Sequence, residues 1–162
     1  MSLVGYRAAS EADQPYMRRL FGEYKAPMFA PLGLAAEQLN ALLDMQYRAR
    51  SIDYARRHPG LESLILTVDG RDVGMALLER GEGIRLIDII IDTPERGRGF
   101  GTDFLHQLLV EASSNSRKIM LYVEPLNPAK RLYERLGFTV VAADAMNCLM
   151  EWSPNKAICA DK

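Results

Sequence analysis

The chemistry-bearing residues concentrate around Arg96-Gly97-Arg98-Gly99-Phe100-Gly101-Thr102. Glycines alternating with arginines suit an anion: glycine admits close backbone approach, and arginine offers a charged, bidentate fork. Where such a turn opens a helix, the unpaired N–H groups of the first turn add partial positive charge. A plain tight turn with two surface arginines has the same composition, but the apolar strand before it favours the anion site. The loop lacks the lysine of a P-loop. The dinucleotide fingerprint also fails, because Thr102 or Phe104 stands where its last glycine is needed. The spacing that is met is Arg-x-x-Gly-x-Gly, with Arg96, Gly99 and Gly101.

Two carboxylates flank this segment. Asp88 is a lone charge inside the apolar run Ile84–Ile91, where ionisation is costly unless the group is paired or used. Arg85 or a residue of a neighbouring strand would be its structural partner. Glu124 follows the next apolar run. Tyr133 lies in Asn127-Pro128-Ala129-Lys130-Arg131-Leu132-Tyr133-Glu134-Arg135-Leu136-Gly137-Phe138, where helical periodicity would make it a core tyrosine. His58 and His106 are the two histidines, and Cys148 and Cys159 the two cysteines. Neither set has zinc spacing, so no metal is expected. His106 falls on a helix and reads as packing or surface. Cys148 has no histidine close in sequence to activate it as a nucleophile.

The elements that position these residues follow from pattern. Val4–Ala8 reads as a strand. Ser10-x-x-Asp13 has the form of a capping box, and Met17, Leu20, Phe21 and Tyr24 share a helical face. Pro27, Pro31 and Gly33 then predict a loop. A second helix is expected over about 35–57, with Leu39, Leu42, Leu43 and Tyr47 on one side and His58-Pro59-Gly60 ending it. Strands at 64–68 and 73–78 join through Asp69-Gly70, a hairpin turn. The run 84–91 reads as a strand covered on both faces. A helix with Phe104, Leu105, Leu108, Leu109 and Ala112 leaves the glycine loop. A strand at 119–123, a helix from Pro128 to Gly137 and strands at about 138–142 and 147–152 complete the order βααβββαβαββ. That order predicts a mixed sheet rather than a doubly wound parallel one.

The chain has 162 residues and a formal net charge of −1, with 48% hydrophobic and 25% charged residues. It reads as one α/β domain over 1–153 with a polar tail at 154–162. This balance argues against a general nucleic-acid binder. No apolar run is long enough to span a membrane, and no signal region opens the sequence. The expectation is a cytoplasmic protein with reduced thiols.

The two motifs together, Arg96-x-x-Gly99-x-Gly101 and Asn127…Leu132-Tyr133-x-x-Leu136-Gly137-Phe138, resemble those of the GNAT acyltransferase superfamily, as does the strand order. The resemblance runs from Val4 to Trp152 and is strongest from Ile84 to Phe138. It implies a mixed, mostly antiparallel sheet of about seven strands flanked by about four helices. It also implies acetyl-CoA as co-substrate and an amine of a small molecule or peptide as acceptor. Backbone groups of Ile89, Ile90 and Ile91 would meet the pantetheine and the acetyl carbonyl. The loop Arg96, Gly97, Arg98, Gly99, Phe100, Gly101 and Thr102 would hold the pyrophosphate, and Asn127 would face the pantetheine. Tyr133 corresponds to the family's general acid. Asp88 or Glu124 is a candidate base, with a water chain as the alternative. The acceptor would meet the segment 24–57, including Tyr24, Phe29, Tyr47 and Tyr54. There Arg48, Arg50, Arg56 and Arg57 suggest either a carboxylate-bearing acceptor or a solvated helix face. A homodimer through 138–152 is plausible for such a fold. A non-catalytic acyl-CoA-binding or regulatory module, and a nucleotide-phosphate binder, are the competing readings.

Overall fold

The computed structural model describes residues 3–154. The expected tail, apart from Pro154, and Cys159 lie outside the described residues. The elements run β1 (Gly5–Ala8), α1 (Gln14–Lys25), α2 (Ala36–Arg57), β2 (Leu61–Val68), β3 (Arg71–Arg80), β4 (Ile84–Ile91), α3 (Phe100–Ser114), β5 (Ile119–Val123), α4 (Ala129–Arg135), β6 (Thr139–Ala143) and β7 (Cys148–Trp152). The order is the expected βααβββαβαββ.

All seven strands form one sheet in the order β1-β2-β3-β4-β5-β7-β6. Every neighbouring pair is antiparallel except β4–β5, which is parallel. One face carries Phe104, Leu105 and Leu108 of α3 and Tyr133 of α4, packed on Leu64, Leu66, Leu86 and Leu121. The other carries Met17 and Leu20 of α1, with Tyr47 and Tyr54 of α2, packed on Ile65, Met75 and Ile90. β4 is apolar apart from Arg85 and Asp88 because it contributes to both clusters, with Leu86 on one side and Ile90 on the other.

The departures from expectation have local causes. The segment after α1 is not an open loop but a 3-10 helix, Ala26–Leu32, closed by Gly33 at φ 60°. Proline's fixed φ suits that conformation, and glycine supplies the left-handed residue that ends it. β2 begins at Leu61 rather than 64, since the Leu61 N–H bonds the His58 carbonyl at 3.0 Å and the chain enters the sheet directly. β3 extends to Arg80, whose guanidinium bonds Glu62 at 2.6 Å and Glu111 at 2.8 Å. Ion pairs thus prolong a hairpin beyond its apolar stretch. Phe138 is core rather than strand, which starts β6 at Thr139. Along α2, Leu43 is buried, whereas Leu39 and Leu42 are only half-buried. The Ser10 box forms as expected: the Ser10 N–H bonds Asp13 at 2.8 Å.

Candidate active site

β4 and β5 pair through Ile84↔Ile119, Arg85↔Met120 and Leu86↔Leu121, and then part. β4 runs on to Ile91 and β5 to Val123 without further pairing between them. A bulge marks the parting. Leu77 faces Asp88 while Leu78 faces Leu86, which leaves Ile87 as the extra residue. Ile87 and Asp88 therefore both turn toward α2, whereas Leu86 and Ile89 belong to the α3 side. The parting leaves a cavity of about 440 Å³, reached from both faces: Gly101, Leu105 and Tyr133 line one end, and Tyr24, Arg50 and Tyr54 the other. Unpaired strand ends at a topological switch are where open α/β sheets bind ligands.

The glycine turn stands beside the cavity. Gly97 and Gly99 take φ of 76° and 81°, conformations that a side chain strains. α3 starts at Phe100, so the N–H groups of Phe100, Gly101 and Thr102 belong to its first turn. The loop arginines are already engaged. Arg96 Nε donates to the Ile91 carbonyl at 3.0 Å, tying the loop to the end of β4. Arg98 pairs with Glu95 at 2.7 Å and lies over the Phe100 ring at 5.1 Å. Glu95 also accepts from Arg71. Buried Asp92 fixes the loop to α1 through Arg19 at 3.0 Å and Tyr16 at 3.3 Å.

Tyr133 is buried at 8% exposure and lines the cavity. Burial, with the fields of Asp88 and Tyr24 adding to it, pushes its phenol up to about 12. The hydroxyl therefore stays protonated near neutrality and can donate. α4, which carries it, is capped by Asn127, whose Oδ1 accepts from the Ala129 N–H at 2.9 Å. Asn127 also lines the cavity. Gly137 ends this helical segment at φ 102°, where a Cβ would approach Trp152 at 3.2 Å.

Asp88 has neither of the partners expected for it. Arg85 and the neighbouring strands leave it to Arg50 of α2, at 3.0 Å. Arg50 is in turn held over Phe21 at 4.7 Å and Tyr54 at 5.2 Å. Burial pushes the Asp88 carboxyl up, and Arg50, the Ile89 N–H and Lys25 only partly offset it. Glu124 sits exposed at the cavity rim. Burial also raises the phenols of Tyr24 and Tyr54.

The structure thus brings Asp88, Ile89, Ile91, Gly101, Glu124, Asn127 and Tyr133 together around one cavity. Ile90 points away into the α1 core. Arg96, Gly97, Arg98, Gly99, Phe100 and Thr102 belong to the adjoining turn and first helical residues. Of the aromatic residues expected near an acceptor, Tyr24 and Tyr54 line the cavity. Tyr47 packs on Phe21 and donates to Gln14 at 2.7 Å, and neither it nor Phe29 is among the lining residues. Arg50 was named only as part of the basic run on α2, and Lys25, at the end of α1, was not singled out. His106 is exposed and Cys148 buried, away from these lining residues. Among the described residues, no cluster of His, Cys, Asp and Glu is placed to hold a metal, and no helix is long and apolar enough to cross a membrane.

The chain belongs to the GNAT acetyltransferases: the acetyltransferase (GNAT) domain model matches residues 59–140. No curated protein matches it by sequence. Solved structures of similar fold include the PaiA N-acetyltransferase of Thermoplasma acidophilum in complex with coenzyme A, at TM-score 0.66 and 17% identity, covering 93% of this chain and 98% of that one. An acetyltransferase from Thermus thermophilus has TM-score 0.66 and 20% identity, covering 94% of this chain and 99% of that one. The spermidine/spermine N-acetyltransferase SpeG of Vibrio cholerae has TM-score 0.62 and 17% identity, covering 99% of both chains. At these identities the likeness is one of fold.

Proposed function

We propose that this protein transfers the acetyl group of acetyl-CoA directly to an amine of a small molecule or peptide, in a ternary complex. The observation that carries the reading is the parting of β4 from β5 beside the glycine turn, with the protonated phenol of Tyr133 in the gap. The pantetheine arm would enter from the α3 side, between Ile89, Ile91 and Val123. The pyrophosphate would rest on the N–H groups from Gly97 to Thr102. That role falls mainly to the backbone and to Arg96, because Arg98 is paired with Glu95.

The acceptor would approach from the α2 side. Asp88, or Glu124 through a water, takes a proton from the ammonium. The amine then attacks the thioester carbonyl, and an N–H group of the β4 end stabilises the oxyanion. As the C–S bond breaks, Tyr133 gives its proton to the thiolate. A base must be ionised to act, and Asp88 is raised. Activity should therefore fall as pH drops through a value above the ordinary carboxylate range.

The Arg50–Asp88 ion pair favours one other reading, a non-catalytic acyl-CoA-binding module, since it occupies the better-buried base. Assay of CoA release against a panel of amines separates the two. Transfer predicts release, and Tyr133→Phe lowering kcat by about a hundredfold while acetyl-CoA affinity is kept. Acetyl-CoA binding without release from any amine would favour the module. Unchanged turnover in Tyr133→Phe would remove the acid role.

A further inference from the structure

Beyond Tyr54 the cleft continues into a second cavity of about 590 Å³ on the α2 face, walled by Tyr54, Arg57, His58, Arg85, Tyr122 and Asn147 among others. Its charge is one-sided. The first cavity balances Lys25 and Arg50 against Asp88 and Glu124, whereas no carboxylate lines the second. The carboxylates behind its wall are engaged. Glu79 is bonded to His58 Nδ1 at 3.1 Å and to the Gly60 N–H at 2.9 Å, and Asp53 pairs with Arg57 at 2.7 Å.

Arg85 is the unusual member. It sits half-buried on β4, facing Glu79 across the β3–β4 ladder and lying in that residue's field. Among the described residues its guanidinium has no hydrogen bond or ion pair. Strand alternation sets it on the same face as Ile87, just before the bulge that turns Asp88 toward α2. Taking a guanidinium partly out of water with only the field of Glu79 and no direct hydrogen bond is unfavourable, and an anion supplied by a ligand would offset that cost.

We propose that this second cavity is the anion subsite of the acceptor, so that the amine acetylated here belongs to a molecule bearing a carboxylate, such as an amino acid or short peptide. Arg85 receives the carboxylate, while Arg57 stays paired with Asp53 at the wall, and the amine end extends toward Asp88. A polyamine meets the same cationic wall and is disfavoured. The inference rests on the acetyl-transfer reading for its name of acceptor, but the subsite is measurable by itself.

The experiment is calorimetric titration of the full chain with N-acetylphenylalanine and N-acetylglycine, each against its neutral carboxamide, with spermidine as a third probe. The carboxylates are expected to bind about tenfold tighter than the amides, a difference of about 1.4 kcal/mol. Arg85→Gln should abolish that difference and Arg85→Lys retain most of it, with melting curves establishing that each variant is folded. Equal binding of acid and amide, no binding of either at millimolar concentration, a preference that survives Arg85→Gln, or preferential binding of spermidine would each overturn the proposal. A parallel melting shift with acetyl-CoA keeps the two ideas apart. Response to the carboxylates without response to acetyl-CoA would retain the subsite and sink the transfer reading, and the converse would sink the subsite alone.

Discussion

α3 and α2 line opposite ends of the same cleft and are held by different forces. α3 buries Phe100, Phe104, Leu105, Leu108 and Ala112 in its 15 residues. α2 is longer, at 22 residues, yet buries Leu43 alone. Beside the half-buried rings of Tyr47 and Tyr54, its attachments are polar: Arg18 to Asp44, Tyr47 to Gln14 and Arg50 to Asp88. Rings of Phe21 and Tyr54 against Arg50 add to these. Non-directional apolar packing fixes the α3 wall, where the cofactor arm is proposed to lie. Directional contacts set the α2 wall, where the acceptor is proposed to lie, and single substitutions can retune them. A fold can keep one wall constant in this way while the other changes partner.

The comparison breaks first in stability. Phe104→Ala should cost about 3–5 kcal/mol by leaving a cavity under α3, and Leu43→Ala about 2 kcal/mol, the low end for such a truncation. Chemical denaturation measures both, and equal costs would contradict the contrast. Next comes the loop. Gly99→Ala forces a side chain into the left-handed region at φ 81°, a strain of about 1–2 kcal/mol. A weaker acetyl-CoA affinity with CoA release otherwise normal is the expected result.

Arg50→Ala sharpens the contrast through pH. It removes a cation that favours the Asp88 carboxylate, so the acid limb of kcat/KM should move to higher pH. A limb that stays in place would exclude Asp88 as the base and leave Glu124 or a water chain. The smallest expected effect is in hydrogen exchange: mid-helix amides of α2 should exchange faster than those of α3, because fewer buried apolar contacts oppose local opening.

The same contrast decides what could be read from residue order. β4 and β5 were legible with their observed limits because each is a short, mostly apolar run, broken in β4 only by Arg85 and Asp88. The glycine turn, α3 and α4 were legible because each has local punctuation, Gly99 before one helix and Gly137 after the other. α2 was legible as a helix but not as a wall. Met45 and Ile52 are 62% and 69% exposed, so its apolar residues do not mark the buried face. Arg50, in a run that reads as a solvated basic face, turns inward to a carboxylate far away in sequence. The bulge at Ile87 was equally hidden, since it depends on the register with β3. The pairing of Arg98 with Glu95 was within three residues and could have been anticipated from charge alone.

The central claim is that the gap between β4 and β5, with its glycine turn, is an acetyl-CoA site. Thermal melting of the full chain with increasing acetyl-CoA, and with ATP as control, tests it most directly. Ligand at a hundred times its dissociation constant adds about 2.7 kcal/mol to the folded state, which raises the melting temperature by several degrees. The account predicts such a rise with acetyl-CoA and none with ATP. No rise at millimolar acetyl-CoA, or an equal rise with both, would contradict it.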